Sequence, residues 1–349
     1  MQIKELVRPN ILNLKPYSSA RNEFHGEASV FLDANENPMN EPYNRYPDPL
    51  QWELKERVAS IKQVDQHQLF FGNGSDEPID LIYRVFCEPR VDNVVAIDPT
   101  YGMYQVSANI NDVDYRKVFL NDDYSMDATR LLTAADEKTK VIFLCSPNNP
   151  TGNDMPVAEV LKVLDNFGGI TVIDEAYIDF STRETYLKLL PKYPNLIVLQ
   201  TFSKAWGLAS VRLGMAFANP EIIGYFNKVK YPYNINFLTQ RFVADELKQL
   251  DRKNSWVALL IEQRRVLIEK LQSLEMVRKI HPTDANFVLI QVDDANAVYD
   301  YLVNQGVIIR NRNTISLCLG CLRITVGKPE ENDSLIKALK TYQSSNQLA

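Results

Sequence analysis

The order of apolar runs predicts an α/β protein: a large domain on a mostly parallel sheet sandwiched by helices, then a smaller α+β domain. Between residues 69 and 218 the short runs LFF, VVAI, VIFLC, TVID, LIVL and MAFA alternate with amphipathic stretches. Near-continuous apolar strands separated by helices belong to a parallel sheet covered on both faces. From Phe237 to Glu275 the pattern turns helical for a long way, with apolar residues at Phe242, Val243, Leu247, Leu250, Val257, Leu260, Ile261, Leu267, Ile268 and Leu271. That stretch reads as the passage between two domains. The length agrees, since 349 residues exceed one ordinary domain of about 100–200 residues.

The individual elements follow from local chemistry. IDLIYRVF, PVAEVLKVLDNF and PEIIGYFNKV carry the helical period, with Pro156 and Pro220 where a first turn accepts proline. Beyond the long helical stretch come a strand ANFVLIQV, a helix ANAVYDYLVNQG, strands VIIRN and CLRITV, and a last helix from Pro329, together a smaller α+β unit. The expected division is residues 1–30 as an arm packed on the small unit, 31–250 as the large domain and 251–349 as the small one.

Composition removes several function classes. Lys plus Arg number 38 against 44 Asp plus Glu, net charge −6, with no basic stripe for a phosphate backbone, so nucleic acid is not an expected partner. No apolar run approaches the roughly 18–20 residues of a membrane span. Lys4, Glu5 and Arg8 break up the N-terminal stretch, which is expected to stay in the mature, cytoplasmic protein. Cys87, Cys145, Cys318 and Cys321 form no disulfide framework. The CLGC pair has no second pair, so buried thiols are expected there and no metal.

In open parallel sheets ligands gather at the carboxyl ends of the strands. After LFF comes GNGSDEP, where Gly74 permits a tight turn and the N–H groups near Ser75 and Asp76 open a helix that could hold a phosphate. Asp76 and Glu77 are expected to point away from such an anion; an ordinary turn is the alternative. The dinucleotide fingerprint fails, because Glu77 stands where a third glycine would. After VVAID, Tyr101 in PTYGMY could stack on a flat heterocycle or simply pack. After VIFLC, Asn149 in SPNNPTG offers an amide donor, in what could also be a plain loop.

After ITVI, Asp174 in DEAY is either a cap or a carboxylate facing a pyridine nitrogen, and Tyr177 can reach a neighbouring oxygen. After LIVLQ comes TFSKAWGLASVRLG, where Lys204 follows a buried strand among Ser203, Trp206 and Gly207. A lysine in an apolar pocket among cations can lose its proton and attack an aldehyde. Arg212 brings a planar fork for phosphate, and Thr201 and Ser203 bring hydroxyls.

Taken in order, YP at Tyr46, GNGSDE, PTYGMY, SPNNPTG, DEAY and SKAxGLAxxRLG resemble the fold-type I aminotransferases, essentially end to end. The resemblance implies pyridoxal 5′-phosphate as cofactor, Lys204 as the Schiff-base lysine and proton shuttle, and Asp174 on the pyridinium nitrogen. Tyr177 and Asn149 would meet the ring hydroxyl, and Tyr101 would stack on the ring. Backbone amides near Gly74, Ser75 and Asp76, with Thr201, Ser203 and Arg212, would hold the phosphate. Tyr46 would reach the phosphate of a neighbouring subunit, which implies a homodimer.

Within that family RPNILNLKPY, LDANENP, NRYPDP and CLRITVG resemble the histidinol-phosphate aminotransferase branch. This implies Arg323 for the substrate anion, with Arg310 as a second arginine and Arg312 an adjacent candidate. Tyr17 and Glu36 or Asn35 would line the same mouth, the glutamate facing an imidazole or serving as a cap. Trp206, bulkier than expected after SKA, and the cysteines of SLCLGC depart from the pattern. The implied reaction passes an amino group between glutamate and imidazole-acetol phosphate, a step toward histidine. Rivals on the same fold decarboxylate threonine phosphate or transaminate aromatic amino acids. A nucleotide-binding module, or an interaction protein without the chemistry, would leave Lys204 and Asp174 at their strand ends unexplained.

Overall fold

The computed structural model describes residues 2–18, 26 and 28–347. Among them, seven strands make the larger sheet: β1 (Leu69–Asn73), β2 (Asn93–Asp98), β3 (Asp114–Phe119), β4 (Thr139–Cys145), β5 (Ile170–Asp174), β6 (Leu196–Thr201) and β7 (Leu213–Ala218). Their order is β1-β7-β6-β5-β4-β2-β3. The neighbours from β6 to β3 pair in parallel, whereas β7 runs antiparallel to both β1 and β6.

Successive side chains of a strand point to opposite faces, and both faces here are apolar. On β4, Ile142 and Leu144 join the core of one face with Phe71, Val95, Ile173 and Val198. Val141, Phe143 and Cys145 join the other with Phe70, Val172, Leu199 and Ala216. Each fully buried Val, Leu, Ile or Phe among them contributes about 1.5–3 kcal/mol. The covering helices are α1 (Pro9–Leu12), α2 (Trp52–Lys62), α3 (Asp76–Phe86), α4 (Met103–Ile110), α5 (Ala128–Ala134), α6 (Val157–Asn166), α7 (Pro220–Val229) and α8 (Phe237–Glu246).

The long helix α9 (Leu250–Gln272) leads to a second, antiparallel sheet of β8 (Val277–Ile280), β9 (Phe287–Val292), β10 (Arg310–Asn311) and β11 (Cys321–Thr325), in the order β10-β11-β9-β8. Helices α10 (Ala295–Asn304) and α11 (Pro329–Gln347) complete it. Leu267, Leu271, Val288, Ile290, Leu302, Leu322 and Ile324 share its core. The alternate residue Phe287 faces the other way and meets Tyr177 edge to face at 5.2 Å.

Two strands carry no apolar signal in the sequence. Both DYRKVF and VRKI lack a continuous apolar run and lie half exposed at sheet edges. The expected strand VIIRN shrinks to two residues. The N-terminal arm also needs correction. It was expected on the small unit, but Ile3, Val7 and Ile11 share a core with Leu81 and Val85 of α3, and Arg8 N–H donates to Val85 O. The physical reason is the apolar stripe every four residues, which packs on that helix, while Arg8 pairs with Glu88 beside it. Residues 19–25 and 27 of the arm lie outside the described residues. No helix among the described residues is long and apolar enough to cross a membrane.

Candidate active site

The carboxyl ends of the parallel strands and the loop into β7 surround one pocket, and most of the residues singled out from sequence line it. At its floor β1 turns into α3. Gly74 takes φ 67°, a left-handed conformation that glycine accepts without strain, and a Cβ there would lie 2.5 Å from Arg212 Nη2. Ser75 is the N-cap of α3 but its side chain makes no capping bond. The first-turn amides thus receive no bond from that side chain, at a helix end whose dipole favours an anion. Gly214 is a residue the sequence reading missed. Its Cβ would meet Gly74 C at 2.2 Å and Ser75 N at 2.3 Å, so only glycine lets β7 approach this turn.

The two acidic residues of the turn behave differently from each other. Glu77 does point away, accepting from Asn73 N–H at 2.6 Å and Asn234 Nδ2 at 3.1 Å. Asp76 does not: its carboxylate accepts from Tyr101 Oη at 2.9 Å and lies 3.6 Å from Arg212 Nη2. The guanidinium draws it in. Arg212 itself has φ 56°, unusual for a non-glycine residue and costly unless its surroundings enforce it.

Lys204 stands in the loop between β6 and β7. Thr201 fixes that loop, its hydroxyl accepting from Ser203 N–H at 3.1 Å and donating to Leu213 O at 3.4 Å. Lys204 Nζ lies 5.6 Å from the centre of the Tyr177 ring. Burial, then the neighbouring Arg323 and Arg212, lower its pKa, against the pull of Asp174 and Asp76. This is the tendency that frees an amine for nucleophilic and proton-transfer work.

Asp174 ends β5 almost wholly buried, at 2% exposure. Its carboxylate accepts from Tyr104 Oη at 2.7 Å and Ala176 N–H at 3.0 Å. Burial nevertheless raises its pKa to about 6, the two hydrogen bonds opposing. Tyr104, the second tyrosine of PTYGMY, was not singled out from sequence.

Across the pocket Asn149 accepts from Arg323 Nη1. Arginine has no acceptor, so Asn149 must present its oxygen there and keep its NH2 for another partner. Arg323 stacks on Phe287 with its Cζ 5.1 Å from the ring centre. Burial and the adjacent Arg312 lower its pKa to about 10. The Nε atoms of Arg323 and Arg312 are buried without a hydrogen-bond partner among the described residues.

Other expected site residues stand apart from this pocket. Arg310 is exposed on β10, opposite Arg323 in the strand register. Tyr17 is 73% exposed, and Asn35 has φ 54° on an exposed turn. Glu36 accepts from Arg45 Nη1 and from Tyr46 N–H, both at 2.7 Å, which makes it an anchor of its own segment. Tyr46 stacks on Tyr233 at 4.5 Å beside Tyr43 and Leu238, away from Lys204 within the chain. The four cysteines are free and buried, and Trp206 packs on Phe202 at 5.6 Å.

The pocket lining brings together helix-start amides with Arg212, the buried carboxylate of Asp174, the amide of Asn149, the phenol of Tyr177 and the amine of Lys204. A flat, phosphorylated heterocycle with a ring nitrogen fits that donor set.

A family model for aminotransferases of class I and II matches residues 20–339. The histidinol-phosphate aminotransferase of Parabacteroides distasonis is 57% identical over 341 residues, 98% of this chain and 99% of that protein. The crystal structure of the histidinol-phosphate aminotransferase from Clostridium acetobutylicum has a TM-score of 0.81 at 21% identity, over 87% of this chain and 92% of that one. The Sinorhizobium meliloti enzyme of the same name, solved with pyridoxal-5′-phosphate, has a TM-score of 0.79 at 24% identity, over 87% and 84%. At such identities the two structures speak for the fold alone.

Proposed function

The chain belongs to the class I and II aminotransferase family, and on that premise we propose that it moves an amino group between L-histidinol phosphate and 2-oxoglutarate. In the biosynthetic direction glutamate is the donor and imidazole-acetol phosphate the acceptor, a step of histidine biosynthesis. The observation that carries the chemistry is the meeting of Lys204, Asp174, Tyr177, Asn149 and Arg212 around one pocket. The substrate rests on the near-full-length likeness to enzymes of that name.

Pyridoxal phosphate, when bound, supplies the electron sink that makes the substrate carbon acidic. The N–H groups of Ser75 and Asp76, with Ser203 and Arg212, would hold its phosphate. Asp174 would keep its ring nitrogen protonated, the NH2 of Asn149 and the hydroxyl of Tyr177 would face its ring oxygen, and Tyr101 would lie on its ring. Lys204 Nζ, partly buried and with its pKa lowered, would take up the proton of the substrate carbon and hold it for redelivery. Arg323, with Arg312 or Arg310 beside it, binds the phosphate of one substrate and a carboxylate of the other.

The protein acts in the cytoplasm as a homodimer, with residues 31–250 and 251–349 as its large and small domains. Tyr46 completes the neighbouring subunit's site, and Tyr17 with Glu36 or Asn35 lines the mouth that Arg323 faces. The exposed apolar surface of Tyr43, Tyr46, Tyr231, Leu238 and Phe242 supports that pairing.

The test is a half-reaction. The cofactor-loaded protein is mixed separately with histidinol phosphate, phenylalanine and threonine phosphate while its visible absorbance is followed. Bleaching is expected with histidinol phosphate at concentrations where the other two do nothing. No bleaching with it would overturn the substrate assignment.

A further inference from the structure

We propose that Tyr104 is a positioning residue of this reaction: its hydroxyl sets the basicity of Asp174, so that the shared proton rests on the cofactor's ring nitrogen rather than on the carboxylate. This rests on the reading of Asp174 as the ring-nitrogen partner.

Tyr104 is fully buried on α4. Its ring is held from two sides, stacked on Phe143 at 4.8 Å and 16° and edge-on to Tyr101 at 5.6 Å. Its own carbonyl accepts from Tyr83 Oη at 2.7 Å, which fixes the backbone. The hydroxyl therefore has little choice of direction, and it ends on Asp174 Oδ2 at 2.7 Å. That is the short range of a hydroxyl donating to an ionised oxygen.

The other groups facing Asp174 come from every neighbouring element. Cys145 ends β4 with its thiol at 3.4 Å from Pro147 O. Ala176 N–H takes Oδ1. Asp76 at the start of α3 disfavours the charged carboxylate, and Lys204 after β6 favours it. Burial pushes the thiol of Cys145 and the phenol of Tyr104 up, so both keep their protons and the negative charge stays on Asp174.

Burial makes this carboxylate a stronger base than an exposed one. Facing a protonated pyridine, it would tend to take the proton and leave both groups neutral, and the ring would then draw electrons less well. Each hydrogen bond donated to the carboxylate weakens it as a base. The backbone N–H of Ala176 cannot be tuned, whereas the Tyr104 hydroxyl is a side-chain contribution that points at the oxygen and lies behind it, away from the pocket opening. Tyr104 need touch no ligand to act in this way.

The test uses protein loaded with pyridoxal phosphate labelled with 15N at the ring, comparing wild type, Tyr104→Phe, Tyr104→Gln and Asp174→Asn by the 15N shift and by kcat and KM across pH. For Tyr104→Phe the shift is expected to move part of the way from the protonated to the neutral position. Its kcat is expected to fall about tenfold or more, as the loss of one hydrogen bond to a charged group implies, with KM little changed. Tyr104→Gln, which keeps an N–H donor, should move the shift less, and it serves as the reading if the phenylalanine variant does not fold. A wild-type shift in Tyr104→Phe beside a displaced one in Asp174→Asn overturns the role of Tyr104 alone. A wild-type shift in Asp174→Asn overturns the reading of Asp174 beneath it.

Discussion

Removing the charge of Asp174 should make the cofactor-free protein more stable at neutral pH while disabling it. The carboxylate is buried, and its pKa is raised from 3.8 to about 6. By linkage that displacement corresponds to about 3 kcal/mol of destabilisation once the folded-state group is ionised. The sign follows from the direction: below about pH 4 the acid is neutral in folded and unfolded chains alike, and the penalty grows as pH rises through 6.

Asp174→Asn removes the penalty but gives back part of the gain. Its NH2 replaces one of the two oxygens that accept from Tyr104 and Ala176, at about 1 kcal/mol. The net expectation is about 2 kcal/mol of added stability at pH 7.5, falling to zero or below near pH 4.5. Urea unfolding of both cofactor-free proteins across that pH range measures it directly. A variant less stable than wild type at pH 7.5, or one whose stability tracks wild type at every pH, would refute the reasoning. Added pyridoxal phosphate should reverse the order, because wild type binds it more tightly and binding stabilises the folded state.

Further outcomes follow from other contacts. Lys204→Ala should abolish turnover and the visible absorbance of the bound cofactor together; retention of both would sink its assignment. Gly214→Ala forces a methyl to within 2.3 Å of Ser75 N, so cofactor affinity, read by fluorescence titration, should fall at least about tenfold, at a stability cost of about 1–3 kcal/mol. Arg323→Gln should raise KM for histidinol phosphate about a hundredfold while leaving cofactor uptake near wild type, a split that steady-state kinetics with a binding titration resolves. Tyr46→Ala and Lys204→Ala chains, each impaired alone, should recover activity when co-expressed, since one mixed site would hold both intact residues; no recovery would count against the shared site.

The residues legible in the sequence share one property: each follows a buried strand. Asn149, Asp174 and Lys204 come just after VIFLC, at the end of TVID and after LIVLQ, so the strand pattern alone put them at one edge of a sheet. What escaped notice depends on contacts between distant segments. Tyr104 sits inside a helix, where an aromatic reads as core, and its hydroxyl matters only because β5 delivers a carboxylate 70 residues later. Gly214 looks like any strand glycine until β1 is placed against β7. The strands β3 and β8 have too few apolar residues to declare themselves, being supported from one side only. The arm was misplaced because Ile3, Val7 and Ile11 announce an apolar stripe without saying which surface it covers.

The reversed strand β7 has one more consequence. Because it runs against β6, the chain leaves the sheet at Thr201 and re-enters at Leu213 on the same edge, so Lys204 and Arg212 belong to one short hairpin. Its two legs are stapled to each other by Thr201 and Phe202 bonding to Leu213, and Arg212 O is tied to Gly74 N. On the proposed roles such a loop would work as a caliper: one jaw would grip a phosphate, the other would meet an aldehyde, and the gap would be set by chain length rather than by how two domains happen to stand. On the same roles, a ligand of the wrong span would fail to reach both groups at once.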